Sequence, residues 1–174
     1  MKYLPIYLND HLAAATGAVQ LARRAARQNR GAEYGDTLER LAAEIDEDRH
    51  ALQDLMKQLG VRGDPVKLLA SVAGEKLGRF KLNGELTRYS PLSRLEELEL
   101  LSLGVEGKLA LWRSLRANVE TDVDFDALIQ RATAQRRRLE RLRVKAAAEA
   151  LVAPRRAPRP CRRPGASAAR GRRR

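Results

Sequence analysis

Glu47 and His50 are the one pair of side chains in this 174-residue chain whose types and spacing are typical of a metal site. A carboxylate and an imidazole three residues apart on a helix occupy neighbouring surface positions, and both are common metal ligands. The pair falls in the stretch 35–60, which has the periodicity of one long helix between two glycines. The match is weak evidence alone, because glutamate is common on solvated helix faces.

The expected direction of these side chains argues against a metal site. Helical residues advance by about 100°, and the apolar stripe of this helix is centred near Ile45. Glu47 then lies about 160° and His50 about 140° from that centre, so both are expected to face solvent. Asp48 and Arg49 lie within about 60° of it and are expected to point inward.

Hydrophobic periodicity predicts two helices in the first third of the chain, over 3–28 and 36–59. Asp36 is expected to cap the second helix, with Glu39 completing a capping box. The link between the two helices is short. The helices are therefore expected to pack as antiparallel neighbours.

Two more helices are predicted in the second half of the chain. Ser90 as N-cap and Pro91 at the first helical position open the third helix, and Trp112 is expected in its core stripe. A fourth helix follows a break at 118–124. The connection between the second and third helices, 60–91, is too long for a hairpin turn. It is expected to cross the bundle and to carry a short helix.

This order of helices resembles the ferritin-like four-helix bundle, an all-α fold of two antiparallel hairpins joined by one long crossover. The resemblance spans about residues 3–151 and implies a helical domain over 1–153. It also implies a site for iron or manganese at mid-height, with four candidate ligands: Glu47, His50, Glu106 and Gln135. The first helix has no glutamate, and Gln135-Arg136-Arg137-Arg138 stands where a di-metal oxidase would have a second Glu-x-x-His motif.

The alternative is a layer of buried polar side chains without metal, with six expected members: His11, Asp48, Arg49, Ser102, Glu106 and Gln135. An ion pair of Arg49 with Asp48 or Glu106 would neutralise the buried acid and repel a metal cation. The sequence thus predicts a ferritin-like bundle with a degenerate or absent metal centre and a structural or interaction role. An iron-binding or iron-storing protein is the competing interpretation. The sequence carries no nucleophile and base pair, phosphate-binding loop or Cys/His cluster that would favour another enzyme class.

The net charge of +12 comes mostly from residues 154–174, which contain no acid. This Arg- and Pro-rich segment is expected to be a disordered tail. Its nine arginines are the candidate polyanion-binding residues: Arg155, Arg156, Arg159, Arg162, Arg163, Arg170, Arg172, Arg173 and Arg174. No aromatic side chain is interleaved for base stacking, so binding to nucleic acid would be nonspecific. The other interpretation is a solvated extension without a role.

Composition also bounds location and assembly. The chain has one cysteine and no run of about 18 apolar residues, so we expect a soluble, cytoplasmic protein without a membrane partner. No distinct surface patches for a cage are identifiable in the sequence. A monomer or dimer is expected, with a second copy or an unknown protein as partner.

Overall fold

The computed structural model describes residues 2–64 and 89–152. These residues form four helices and no strand: α1 (Leu4–Gln28), α2 (Gly35–Gln58), α3 (Pro91–Asn118) and α4 (Phe125–Leu151). The predicted all-α class and the four predicted helices are confirmed. The short helix predicted within 60–91, and the basic tail at 154–174, lie outside the described residues.

The N-termini of α3 and α4 are fixed by side-chain caps. The Ser90 hydroxyl accepts a hydrogen bond from the backbone N–H of Ser93 at 3.1 Å, and Pro91 occupies the first helical position. The Asp124 carboxylate accepts one from the N–H of Ala127 at 2.9 Å. Each cap satisfies a backbone donor that the helix itself leaves unpaired.

The start of α2 differs from the prediction. Its N-cap is Tyr34, which makes no side-chain capping bond, and Asp36 lies inside the first turn. The predicted capping box is therefore wrong. The helix starts earlier because of the turn before it. In this turn a Cβ at position 35 would lie 2.8 Å from the Asn29 carbonyl oxygen, which is too close for any residue except glycine.

The helices form two antiparallel pairs, α1 with α2 and α3 with α4. The pairs meet where α1 packs on α3 and, more sparsely, where α2 packs on α4. Two apolar clusters of buried side chains fill opposite ends of the bundle. Representative members of the first are Ala25, Leu38, Leu98 and Ala146, and of the second Leu8, Leu55, Trp112 and Leu128.

The composition of these clusters fixes the helix directions. The first cluster combines the start of α2 with the start of α3, and the second combines the end of α2 with the end of α3. Consequently α2 and α3 run parallel, and the end of α2 and the start of α3 lie at opposite ends of the bundle. Trp112, 1% exposed, is the core residue that the sequence predicts.

Candidate functional site

The middle of the bundle, between the two apolar clusters, contains a group of four polar side chains that we call the charged core cluster: Asp48, Lys108, Arg131 and Gln135. Helix α2 supplies Asp48, α3 supplies Lys108, and α4 supplies the other two. Ile45 and Leu52, one turn before and after Asp48, belong to the first and the second apolar cluster respectively. The charged core cluster therefore separates the two apolar halves of the core.

The Asp48 side chain is only 1% exposed, and each of its two carboxylate oxygens meets two donors. Arg131 Nε donates to Oδ1 at 2.6 Å, and Arg131 Nη2 contacts the same oxygen. Lys108 Nζ donates to Oδ2, and Gln135 Nε2 donates to it at 3.0 Å. A carboxylate offers about four lone-pair positions, so these four donors leave none for a metal ion.

Gln135 holds the charged core cluster together through both ends of its amide. Its Oε1 accepts from Lys108 Nζ at 2.5 Å, while its Nε2 also lies 3.2 Å from Glu44 Oε2. Because the side chain is fully buried, an amide with both a donor and an acceptor is needed between an ammonium group and a carboxylate.

Glu44 extends the network from the charged core cluster toward the surface. Arg138 binds both carboxylate oxygens of Glu44, with Nη1 donating to Oε1 at 2.8 Å. Partial burial raises the pKa of Glu44, but the hydrogen bonds from Arg138 and Gln135 outweigh burial and leave that pKa below 4.5. Glu44 is therefore an anion that balances the charge of Arg138.

Lys108 is the buried cation of the charged core cluster, with a side chain 13% exposed. Burial lowers its pKa, and the neighbouring Asp48 carboxylate partly restores it. Its place in the core depends on Asp48, because an isolated ammonium group is costly to remove from water.

Three of the four candidate metal ligands lie at the surface. The side chains of Glu47, His50 and Glu106 are 64%, 58% and 51% exposed. Glu106 pairs with Arg136 at 2.9 Å, and Glu47 lies 3.4 Å from Arg131. The fourth candidate, Gln135, is buried in the charged core cluster. The structure does not bring the four together, and the part of the chain that it describes has no group of three or more His, Cys, Asp or Glu residues placed to hold a metal ion.

The expected partners of Arg49 are wrong. Its guanidinium donates to Asp46 at 2.9 Å and to Gln53 at 2.9 Å, and it contacts the exposed His50. Acceptors on the same helix, three and four residues away, are within easier reach of a long side chain than the core. Arg49 thus lies at the edge of the bundle, and Lys108 and Arg131 neutralise Asp48 in its place.

The other residues expected in a buried polar layer divide between core and surface. Asp48 and Gln135 are buried, whereas Glu106 is at the surface, so its expected place in the layer is wrong. Ser102 is half-buried and donates to the Leu98 carbonyl of its own helix at 2.7 Å. His11 is half-buried as well, and burial lowers the pKa of its imidazole, against the opposing charge of Asp10.

Lys108 and Arg131 are not among the site residues predicted from the sequence. Lys108 lies three residues after Val105 and four before Trp112, on the edge of the apolar stripe of α3. Arg131 lies beside the buried Ala132 on α4. A long basic side chain at such an edge can pack its alkyl stem on apolar neighbours and extend its charge into the core. This position beside the apolar stripe is the sequence feature that could have predicted both residues.

A second polar network closes the end of the bundle where α1 joins α2. Arg94 lies over the ring of Tyr34 at 4.5 Å and donates to Asn29 and Glu149. The Tyr34 hydroxyl donates to Glu149 at 3.0 Å, and burial followed by the nearby Glu149 raises the tyrosine pKa to about 12. These contacts join the turn after α1 to α3 and α4, so their evident role is structural.

No family model matches the chain, and comparisons with curated proteins and with solved structures found no significant match. Within 2–64 and 89–152, no helix combines the length and apolar character needed to cross a membrane.

Proposed function

We propose that this protein is a ferritin-like helical bundle without a metal centre, acting as a structural or interaction protein. The parallel course of α2 and α3, with the start of α3 at the opposite end from the end of α2, supports the ferritin-like arrangement. One observation is the basis for proposing that the bundle has no metal centre. The Asp48 carboxylate accepts hydrogen bonds from Lys108, Arg131 and Gln135.

The competing function, iron or manganese binding, requires ligands that converge in the core. The chemistry of the available donors does not fit, because an ammonium and a guanidinium group lie beside the buried carboxylate and would repel a divalent cation. Glu47, His50 and Glu106 would have to leave the surface to reach the same point.

Metal content tests this proposal. The full chain is incubated with iron(II) without oxygen, or with manganese(II), then desalted and measured by mass spectrometry for metal per chain. We expect no stoichiometric metal, and the same result for a Glu47→Ala/His50→Ala variant and for Glu106→Ala. One or two ions per chain, lost on replacement of Glu106, would overturn the proposal in favour of metal binding.

The interaction role is supported by leucines on the outer face of α3. Leu100 and Leu103 are 57% and 70% exposed, although α3 already buries a full apolar stripe. Adjacent exposed leucines of this kind favour a protein contact, and a second copy of the chain is the partner that can be tested directly.

Light scattering after size exclusion tests the contact at α3. We expect a concentration-dependent dimer that Leu103→Glu converts to a monomer. Val144→Glu is the matched control, because Val144 is an exposed apolar residue on a different helix. A wild-type chain that stays monomeric throughout, or equal effects of the two variants, would contradict a contact through α3.

Nonspecific nucleic-acid binding is a second candidate function. Fewer basic side chains of α4 are available for it than the sequence of this helix suggests. Arg138 and Lys145 pair with Glu44 and Glu33, so their charge is already balanced. Arg137 and Arg141 are exposed and have no acidic partner among the described residues. They would extend the positive charge of 154–174 along one face of the helix.

Deletion of the segment after Ala153 tests this candidate. We expect the deletion to abolish retention on a DNA column at low salt, because nine arginines are removed while the helices are kept. Unchanged retention would show that residues 154–174 are not the binding element.

A further inference from the structure

The outer face of α3 contains four uncharged residues that we call the outer seam: Leu100, Leu103, Gly107 and Ala110. Their spacing of three and four residues repeats every seven, which is the pattern of a helix face that packs lengthwise against another helix. The leucines are 57% and 70% exposed, and Ala110 is exposed as well. The first half of the outer seam is therefore large and apolar, and the second half is small.

A second α3 in antiparallel orientation fits the outer seam, because it places large residues against small ones. Leu103 then faces Gly107 of the second copy, Leu100 faces Ala110 of the second copy, and two-fold symmetry repeats both contacts. The space over Gly107 is open, since a Cβ there would meet no atom within 4 Å. A parallel α3 would instead place leucine on leucine and glycine on glycine, which leaves one half of the contact unfilled.

A row of charged residues runs beside the outer seam. Glu99, Glu106 and Arg113 follow one another at intervals of seven residues, so the row changes from acidic to basic along α3. Two antiparallel copies bring this same flank of the helix together in reversed direction. Glu99 of each copy then lies opposite Arg113 of the other. In a parallel pair the flank would face Gly104 and Leu111 instead, and no such ion pair would form.

The charges of this row are available to a second copy. The Arg113 side chain is exposed and has no acidic partner in the part of the chain that the structure describes. Glu99 lies 3.7 Å from Arg143, and its side chain stays 49% exposed. The two Glu106 carboxylates would approach each other near the two-fold axis, and Arg136, 2.9 Å from Glu106, neutralises each of them. Opposite charges therefore meet at both ends of the row, and the acids at its centre are already paired.

We propose that two copies of this chain associate through antiparallel α3 helices, with Glu99 of each copy paired to Arg113 of the other. The inference rests on the proposed contact through α3, and adds to it an orientation and an ion pair that favours a second copy over an unrelated protein. Each copy contributes one helix, so the contact is expected to bury less than the roughly 1,200 Å² at which stable interfaces begin. The dimer should therefore form reversibly as concentration rises.

Charge reversal tests the orientation, with the dissociation constant of the full chain measured by sedimentation equilibrium. Glu99→Arg and Arg113→Glu should each raise this constant about tenfold, because either change turns two attractive pairs into two repulsive ones. The double variant exchanges the two charges and should return to within about threefold of wild type. Glu39→Arg and Arg40→Glu, at exposed positions of α2, make the same changes in net charge and should leave the constant unchanged.

A mixture of the two single variants separates orientation from any effect on folding. An antiparallel heterodimer of Glu99→Arg with Arg113→Glu regains both ion pairs that each homodimer lacks. We expect it to form about tenfold more tightly than either homodimer. A wild-type chain that stays monomeric would overturn both the contact through α3 and its orientation. A wild-type dimer that Leu103→Glu dissociates, with no recovery in the double variant or in the mixture, would overturn the orientation alone.

Discussion

At the scale of single residues, the partners available to a buried polar group decide whether it stays charged. Asp48 is compensated by two cations and an amide, all supplied by other helices. The half-buried His11, by contrast, packs its ring edge-on against Tyr7 with centroids 4.6 Å apart. The first arrangement keeps a charge in the core, whereas the second favours a neutral side chain.

His11 should titrate below the ordinary histidine value. Burial lowers its pKa from 6.5, and the nearby Asp10 offsets only part of that effect. An NMR titration of the His11 ring protons should give a midpoint below 6.5. A midpoint at or above 6.5 would show that the ring is exposed to solvent or ion-paired.

The same shift makes stability depend on pH. Because the pKa of His11 is lower in the folded chain, the unfolded chain binds the proton first as pH falls. The contribution of His11 is complete above about pH 6.5 and is lost as pH falls toward the folded-state pKa. We expect His11→Leu to flatten the fall in free energy of unfolding in this window, as measured by urea titration at a series of pH values. An unchanged slope would contradict the assignment.

At the scale of helices, capping residues in the sequence predict the start of α3 correctly and the start of α2 incorrectly. The caps by Ser90 and Asp124 are bonded to backbone amides, whereas Asp36 makes no capping bond because Gly35 and the turn before it set the start of α2. Sequence alone predicts the caps at Ser90 and Asp36 equally well. The close approach of Gly35 to Asn29 depends on the conformation of the turn between α1 and α2, which the capping pattern of the sequence does not contain.

Alanine substitutions should separate the real caps from the apparent one. Ser90→Ala and Asp124→Ala should each lower the free energy of unfolding by about 1 kcal/mol, the usual value of a bonded N-cap. Asp36→Ala should lower it by less than about 0.5 kcal/mol, since only an interaction with the helix dipole is lost. Thermal or urea unfolding measures all three. A loss at Asp36 equal to that at Ser90 would be inconsistent with this account of the turn.

At the scale of the whole molecule, the architecture was more predictable than the contacts of the core. Apolar periodicity predicts the four helices, because each must bury one stripe. The outward direction expected for Glu47 and His50 follows from the same periodicity and agrees with their exposure. Which cation meets Asp48 depends instead on the packing of α3 and α4 against α2, so Arg49 is as plausible from sequence as Lys108 or Arg131.

Lys108 and Asp48 neutralise each other in the core, and a double-mutant cycle measured by urea unfolding tests this pairing most directly. Lys108→Met alone should cost about 3 kcal/mol, because it removes one partner of a buried pair. Asp48→Leu alone should be strongly destabilising too, since two cations lose their anion. The double variant should lose clearly less stability than the sum of the two single losses, with a coupling of more than about 1 kcal/mol. Single losses that simply add would contradict this pairing.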